Sequence, residues 1–216
     1  MRSISAIRLA LAAQLVAAGL MAASFPDPPN VAPAAAPAGK KTAVLAGGCF
    51  WGMQGVFEHV KGVIDTEVGY SGGSKDTAHY ERIEAGDTGH AESIKITYDP
   101  SKVSYGQLLK IYFSVAHDPT TLNRQHNDVG TQYRSSIFYA DNDQKAVAEA
   151  YIKELNDQHV FGSPVVTKVV PLVAFYRAEE YHQHYLDQNP TQPYIAAMDL
   201  PLIEHLKQQY PDWYKR

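Results

Sequence analysis

Between residues 42 and 60 the hydrophobic pattern changes period, and two glycines mark the change. Thr42 to Ala46 is a short, nearly all-apolar run, the pattern of a strand buried on both faces. Gly47-Gly48 breaks it. Beyond the break, Phe50, Met53, Phe57 and Val60 recur at one face of a helix, and Gly62 can take a left-handed cap after its last turn. A buried strand feeding a helix through a tight turn points to a layered fold in which sheet and helices share one core. The chain's only cysteine, Cys49, falls at this junction, in the first turn of the expected helix.

The remaining elements interleave without strict alternation. Val63 to Tyr70 and Ser136 to Ala140 read as strands, as does Val165 to Val170. Glu92 to Tyr98 alternates, with Ile94, Ile96 and Tyr98 on one side and Ser93, Lys95 and Thr97 on the other. Ser104 can cap a helix running to about Val115. Asp141 starts another to about Asn156, with Val147, Ala150, Tyr151 and Leu155 inward. Glu179 to Asp187 and Leu200 to Tyr210 also look helical. The pattern favours an α+β, two-layer sandwich with a mixed β-sheet over a doubly wound fold.

The N-terminus is organised differently. Arg2 and Arg8 precede and border an uncharged apolar run, Leu9 to Ala23, and Ala22-Ala23-Ser24 supplies small residues for cleavage. That is the layout of a secretory signal peptide, residues 1–24, and the run is short for a membrane-spanning helix. Residues 25–39 hold five prolines and five alanines and read as an extended Pro/Ala-rich linker. A single globular domain is expected over 40–216, in the periplasm or secreted, with no stable membrane contact once the leader is removed. A net charge of −4 gives no reason to expect nucleic acid as a partner. One cysteine can form neither an internal disulfide nor a multi-cysteine zinc site, and no metal is expected.

Two residues stand out chemically. A thiol reacts as its thiolate, and free N–H groups at a helix start favour that anion, so Cys49 is a candidate nucleophile. Glu92 shares the inward face of its strand with Ile94 and Ile96; burial would raise its pKa and make it a proton donor near neutral pH. Trp51 lies off the apolar face of its helix and suits a pocket wall, whereas Phe50 lies on that face. Asp128 and Tyr133 are polar groups in a glycine-containing loop that leads into a strand. His182 and His184, at i, i+2, do not share a helix face and make a poor metal pair.

These residues sit within a longer ordered series. Gly48-Cys49-Phe50-Trp51-Gly52, Gly69-Tyr70-Ser71-Gly72-Gly73, Tyr80, Gly86 to Glu92, Tyr98-Asp99-Pro100, His117 to Thr120, Gly130 to Ser135, and His182-Gln183 with Tyr185-Leu186 together resemble the peptide methionine sulfoxide reductase A family. The resemblance runs from about Thr42 to at least Pro190. It implies a two-layer α+β sandwich with a ferredoxin-like core, acting as a monomer without a cofactor. It also implies reduction of the S-epimer of methionine sulfoxide, free or in oxidised proteins. Cys49 matches the family's nucleophile and Glu92 its proton donor. Phe50 and Trp51 match the aromatics around the substrate methyl group. Tyr80 and Tyr133 match the tyrosines beside the sulfoxide oxygen, and Asp128 the acid that orders a water with Glu92.

The sequence lacks a resolving cysteine, so a sulfenic acid on Cys49 would need an external thiol or a thioredoxin-like reductant. Three other readings use the same residues. A cysteine hydrolase or acyl transferase would recruit His182 or His184 with Asn189. A one-cysteine peroxidase would need only Cys49. An exported binding module would leave Cys49 buried and inert.

Overall fold

A computed structural model describes residues 25–29 and 39–216. The expected signal peptide and residues 30–38 of the expected linker lie outside the described residues. The elements follow in order as β1 (Lys41–Ala46), α1 (Phe50–Glu58), β2 (Val63–Ser71), α2 (Tyr80–Ile83) and β3 (Ala91–Tyr98). Then come α3 (Tyr105–Ile111), β4 (Arg124–Gln125), β5 (Asp128–Val129), β6 (Ser136–Tyr139) and α4 (Asn142–Asp157). The chain ends with β7 (Lys168–Pro171), β8 (Phe175–Arg177), α5 (Tyr185–Gln188) and α6 (Leu200–Gln209).

The main sheet has the order β7-β6-β1-β3-β2-β8, and β4 pairs with β5 in a separate hairpin. The four inner strands, β6-β1-β3-β2, are antiparallel throughout. With α1 between β1 and β2, and α3 before β6, they form the ferredoxin-like core. The sheet becomes mixed because β7 joins β6 in parallel while β8 joins β2 antiparallel. Only residues 172–174 connect β7 to β8, although these are the two edges. Six flat strands would put the edges about 24 Å apart at about 4.8 Å per strand. Four residue steps reach at most about 14 Å. The sheet therefore curls until its edges approach each other. A small cluster of Val44, Ala46, Ala91 and Phe138 fills the face turned away from the main core, with Val170, Leu172 and Phe175 against it.

The main core lies between the sheet and the helices. Ala43 to Ala46 are all buried, as a strand covered on both faces should be. Phe50, Met53, Phe57 and Val60 are at most 1% exposed. Ser104 caps α3 through a reciprocal pair with Gln107: its Oγ accepts from Gln107 N–H, and Gln107 Oε1 accepts from Ser104 N–H. Asp141 caps α4 by accepting from Gln144 N–H at 2.8 Å.

Several expectations are corrected. The helix after Ser104 is α-wound only to Ile111 and continues as a wider π-turn over Tyr112–Ala116. The buried face of α4 is Gln144, Ala148, Tyr151 and Leu155, with Val147 half-buried and packed against the core. The strand expected from Val165 begins at Lys168. Glu179 to Asp187 is not one helix. A single 3₁₀ turn, Glu180–His182, is followed by extended Gln183 and left-handed His184 (φ 53°) before α5. The Gln183 side chain explains the break. Its amide accepts from Val68 N–H at 3.0 Å and donates to Val68 O at 3.1 Å, standing in for a strand neighbour where β8 has ended. A helical Gln183 could not reach that buried strand.

The first linker residues are also not free of the domain. Pro26 O accepts from Tyr151 O–H at 2.6 Å. Asp27 pairs with the buried Lys110 at 2.6 Å, and Phe25 meets Phe161 edge-on. No helix among the described residues is long and apolar enough to cross a membrane.

Candidate active site

The glycine pair sets the entry angle of α1. Gly48 has φ +95°, a region L side chains rarely adopt, and a Cβ there would stand 2.5 Å from the Gln125 side chain. Gly47 has no room for a Cβ because His117 fills the space at 2.7 Å. The chain can therefore leave β1 sharply and present Cys49 as the N-cap of α1 rather than in its first turn. Glu92, one residue into β3, reaches that start. Its Oε2 accepts the Phe50 N–H at 3.0 Å.

All seven candidates named from the sequence line one cavity of about 130 Å³: Cys49, Phe50, Trp51, Tyr80, Glu92, Asp128 and Tyr133. Tyr194, which the sequence did not single out, completes the wall. Surface clefts of about 700, 540 and 410 Å³ occur elsewhere, but none contains the cysteine.

Glu92 is 3% exposed. Burial raises its pKa to about 8 against the opposing Phe50 hydrogen bond, and the charges of Asp128 and Glu84 push the same way. At neutral pH it carries a proton and can give it away. Burial also holds the Tyr80 and Tyr133 phenols well above the usual tyrosine range, with Glu92's charge as the next cause, so both remain O–H donors. Asp128 accepts from Tyr194 O–H at 2.5 Å, which ties the hairpin carrying β5 to the C-terminal segment.

The sulfur differs from its expectation. The thiol of Cys49 is raised well above the ordinary value, not lowered. Burial is the leading cause, followed by the charges of Glu92 and Asp199, while a hydrogen bond from Trp51 N–H works in the opposite direction. Lost solvation and nearby carboxyls outweigh the helix start.

Trp51 is fixed from three sides. It stacks on Tyr185 with centroids 4.0 Å apart, and meets Tyr194 near a right angle. Its indole N–H donates to His182 Nδ1 at 3.2 Å. A ring that accepts at Nδ1 must be neutral or lose that bond, and burial lowers the His182 pKa accordingly. His182 Nε2 has no partner among the described residues. His184 pairs instead with Glu58 at 2.5 Å. Neither histidine hydrogen-bonds the thiol, so the hydrolase arrangement is not formed. Tyr194 was one of 14 tyrosines and carried no distinguishing signal. His182 was considered as a ligand or base but not as the acceptor for Trp51.

Comparison with known proteins gives the chain's family. The family model described as peptide methionine sulfoxide reductase matches residues 41–213. Peptide methionine sulfoxide reductase MsrA 2 of Mesorhizobium japonicum is 57% identical over 176 residues, covering 82% of this chain and 90% of that protein. The Synechocystis protein of the same name is 53% identical, covering 81% of each. Among solved structures, reduced Mxr1 from Saccharomyces cerevisiae aligns with a TM-score of 0.67 at 38% identity, covering 72% of this chain and 89% of its own. Methionine sulfoxide reductase A of Corynebacterium diphtheriae aligns with a TM-score of 0.62 at 33% identity, covering 72% and 78%. The chain belongs to the peptide methionine sulfoxide reductase family, oxidoreductases that return the S-epimer of methionine sulfoxide to methionine.

Proposed function

We propose that Cys49, Glu92, Tyr80, Tyr133 and Asp128 divide the reduction as follows. The sulfoxide lies in the 130 Å³ cavity with its methyl group against Phe50 and Trp51. Cys49 releases its proton to water as the substrate binds, and the resulting thiolate attacks the sulfoxide sulfur. Glu92 gives its proton to the sulfoxide oxygen, and the two phenols stabilise charge that develops there. A bond forms between the two sulfurs; it and the S–O bond then break as the protonated oxygen passes to the Cys49 sulfur, leaving a sulfenic acid. Methionine sulfur gains two electrons, the cysteine sulfur loses two, and Glu92 is left as a carboxylate. Asp128, held by Tyr194, orders water with Glu92.

Two thiol equivalents close the cycle. The first condenses with the sulfenic acid, releasing water and leaving a mixed disulfide; the second attacks that disulfide and frees Cys49. The chain has one cysteine, so both equivalents come from outside, from a small thiol or a thioredoxin-like protein. The carrying observation is that the buried Glu92, whose surroundings favour its protonated form, lines one small cavity with the chain's single thiol. Single-turnover reaction with separated epimers tests it. The S-epimer should yield one methionine per Cys49 and a sulfenic acid detectable by mass; turnover of the R-epimer alone, or none with either, refutes it.

The setting is proposed from the N-terminal sequence. The leader is cleaved near Ser24, and the enzyme works as a monomer in the periplasm or outside the cell, without lasting membrane contact. The contacts of Phe25 to Asp27 with the domain support a mature chain whose first residues are held in place. N-terminal sequencing of the exported protein should begin near Phe25; a start at Met1 would refute cleavage.

A further inference from the structure

The C-terminal segment brings a second buried carboxyl to the first turn of α1, the helix that starts at the nucleophile. Asp199 ends a π-wound turn, Ile195–Asp199, and is 3% exposed. It stands in helical conformation (φ −97°, ψ −44°) where that turn runs on into α6, so its side chain has no free helix start to cap and makes no cap hydrogen bond. Its Oδ2 has no partner among the described residues. Its Oδ1 lies over Gly52, 2.5 Å from where a Cβ on that residue would stand. Gly52 belongs to the first turn of α1, whose N-cap is Cys49. The glycine that ends the Gly48–Gly52 motif thus leaves room for this carboxyl. A buried acid with an oxygen left unpartnered among the described residues calls for an explanation beyond packing.

The groups facing it are few. Asp128, Tyr194 and Cys49 lie within its electrostatic reach, and among the described residues no lysine, arginine or histidine offsets its charge. Cys49 in turn faces Glu92 from β3, Asp128 from β5, Tyr80 from α2, and Tyr133 and Tyr194 from the loops. Asp199 is the acid among these that arrives from the C-terminal segment.

We propose that Asp199 is a positioning residue for the nucleophile: as a carboxylate against the start of α1, it disfavours a negative sulfur and keeps Cys49 a thiol between substrates. Burial, and secondarily Asp128, place its titration at about 7, so its charge is present for part of the population at neutral pH and for nearly all of it above pH 8. The benefit is selectivity. A thiol reacts slowly with peroxide, whereas a standing thiolate is oxidised stepwise toward acids that thiols do not restore. A bound sulfoxide overcomes the restraint because Glu92's proton reaches its oxygen as the sulfur attacks. The inference rests on Cys49 being the nucleophile.

Alkylation by iodoacetamide, followed from pH 6 to 11 on the full-length protein, tests it without any sulfoxide. In the unaltered protein the rate should inflect well above about 8.5, the value for free cysteine. Asp199→Asn and Asp199→Ser should each lower the inflection by about half a unit, a change of about threefold in thiolate at a given pH. Asp199→Glu should keep it high. A merely structural role would instead raise the alkylation plateau by loosening the site while leaving the inflection in place. An inflection at or below the free-cysteine value in the unaltered protein overturns the proposal, and that measurement needs no variant. So does an unmoved inflection in either neutral variant that keeps its circular dichroism spectrum. Neither result bears on whether sulfoxide is reduced, so the reductase assignment is judged separately by the single-turnover assay.

Discussion

Replacing Glu92 with glutamine should make the protein more stable and much less active, and both magnitudes follow from its surroundings. The carboxyl is 3% exposed and titrates at about 8 instead of the ordinary 4.5. A raised acid pKa means that the unfolded chain loses the proton first as pH rises. Folding then carries a penalty that is absent below about 4.5, grows with pH, and saturates above about 8. At pH 7 the penalty is about 3 kcal/mol. Glutamine keeps the shape and can still accept from Phe50 N–H, but it has no proton to hold. Thermal and urea unfolding of both proteins should therefore converge near pH 4.5 and diverge by about 3 kcal/mol at pH 7. That corresponds to a Tm about 6–12 °C higher for the variant. The same change removes the general acid, a loss of about 10²- to 10⁴-fold in single-turnover reduction. A stability difference that does not change between pH 4.5 and 7, or a variant that reduces sulfoxide at the original rate, would refute the reasoning.

Other expectations follow from the same coordinates. The reaction needs Cys49 ionised while Glu92 is protonated, and the sulfur titrates higher than the ordinary thiol. Single-turnover rates at low sulfoxide should climb up to about pH 8, level off, and fall only above the value at which Cys49 ionises. In Glu92→Gln the alkaline fall should vanish, and its persistence would assign that limb to another group. Gly52→Ala would place a Cβ 2.5 Å from Asp199 Oδ1 and 3.4 Å from Leu202, so overpacking should cost about 1–3 kcal/mol in urea unfolding, with no loss refuting the contact. Deleting residues 25–29 removes Asp27 from the buried Lys110 ammonium and Pro26 O from Tyr151. The urea midpoint should drop relative to the chain that keeps them, and an unchanged midpoint would mean the contacts do not matter.

The site was legible where side-chain periodicity meets chemistry. Glu92 was found because a carboxylate on the face of Ile94 and Ile96 contradicts its strand pattern, and Cys49 because a strand and helix meet there. Both readings are local. What escaped depends on distant partners. Tyr194 and Asp199 come from the far end of the chain, where Asp128 and Gly52 receive them, and nothing near them in sequence announces those contacts. The break at His184 was invisible for a similar reason. It is driven by Gln183 binding Val68, 115 residues away, and histidine carries no strong breaker signal. The three-residue β8 is too short for alternation to register. The raised Cys49 thiol was misjudged because the helix start could be seen in the sequence, whereas the carboxyls packed around the sulfur could not.

The docking of α6 on α1 has a consequence for recycling. Gly55 has the Leu186 side chain 2.7 Å and Ile203 3.4 Å from where its Cβ would stand, as Gly52 has Asp199 and Leu202. Missing side chains on one helix thus become footholds for the tail, and Tyr194 pins that tail to Asp128. A wall anchored at so many points resists displacement. Sulfoxide and reducing thiol must both reach the Cys49 sulfur in the same small cavity. Oxidised substrate and reducing thiol must take turns there, and either in excess will delay the other.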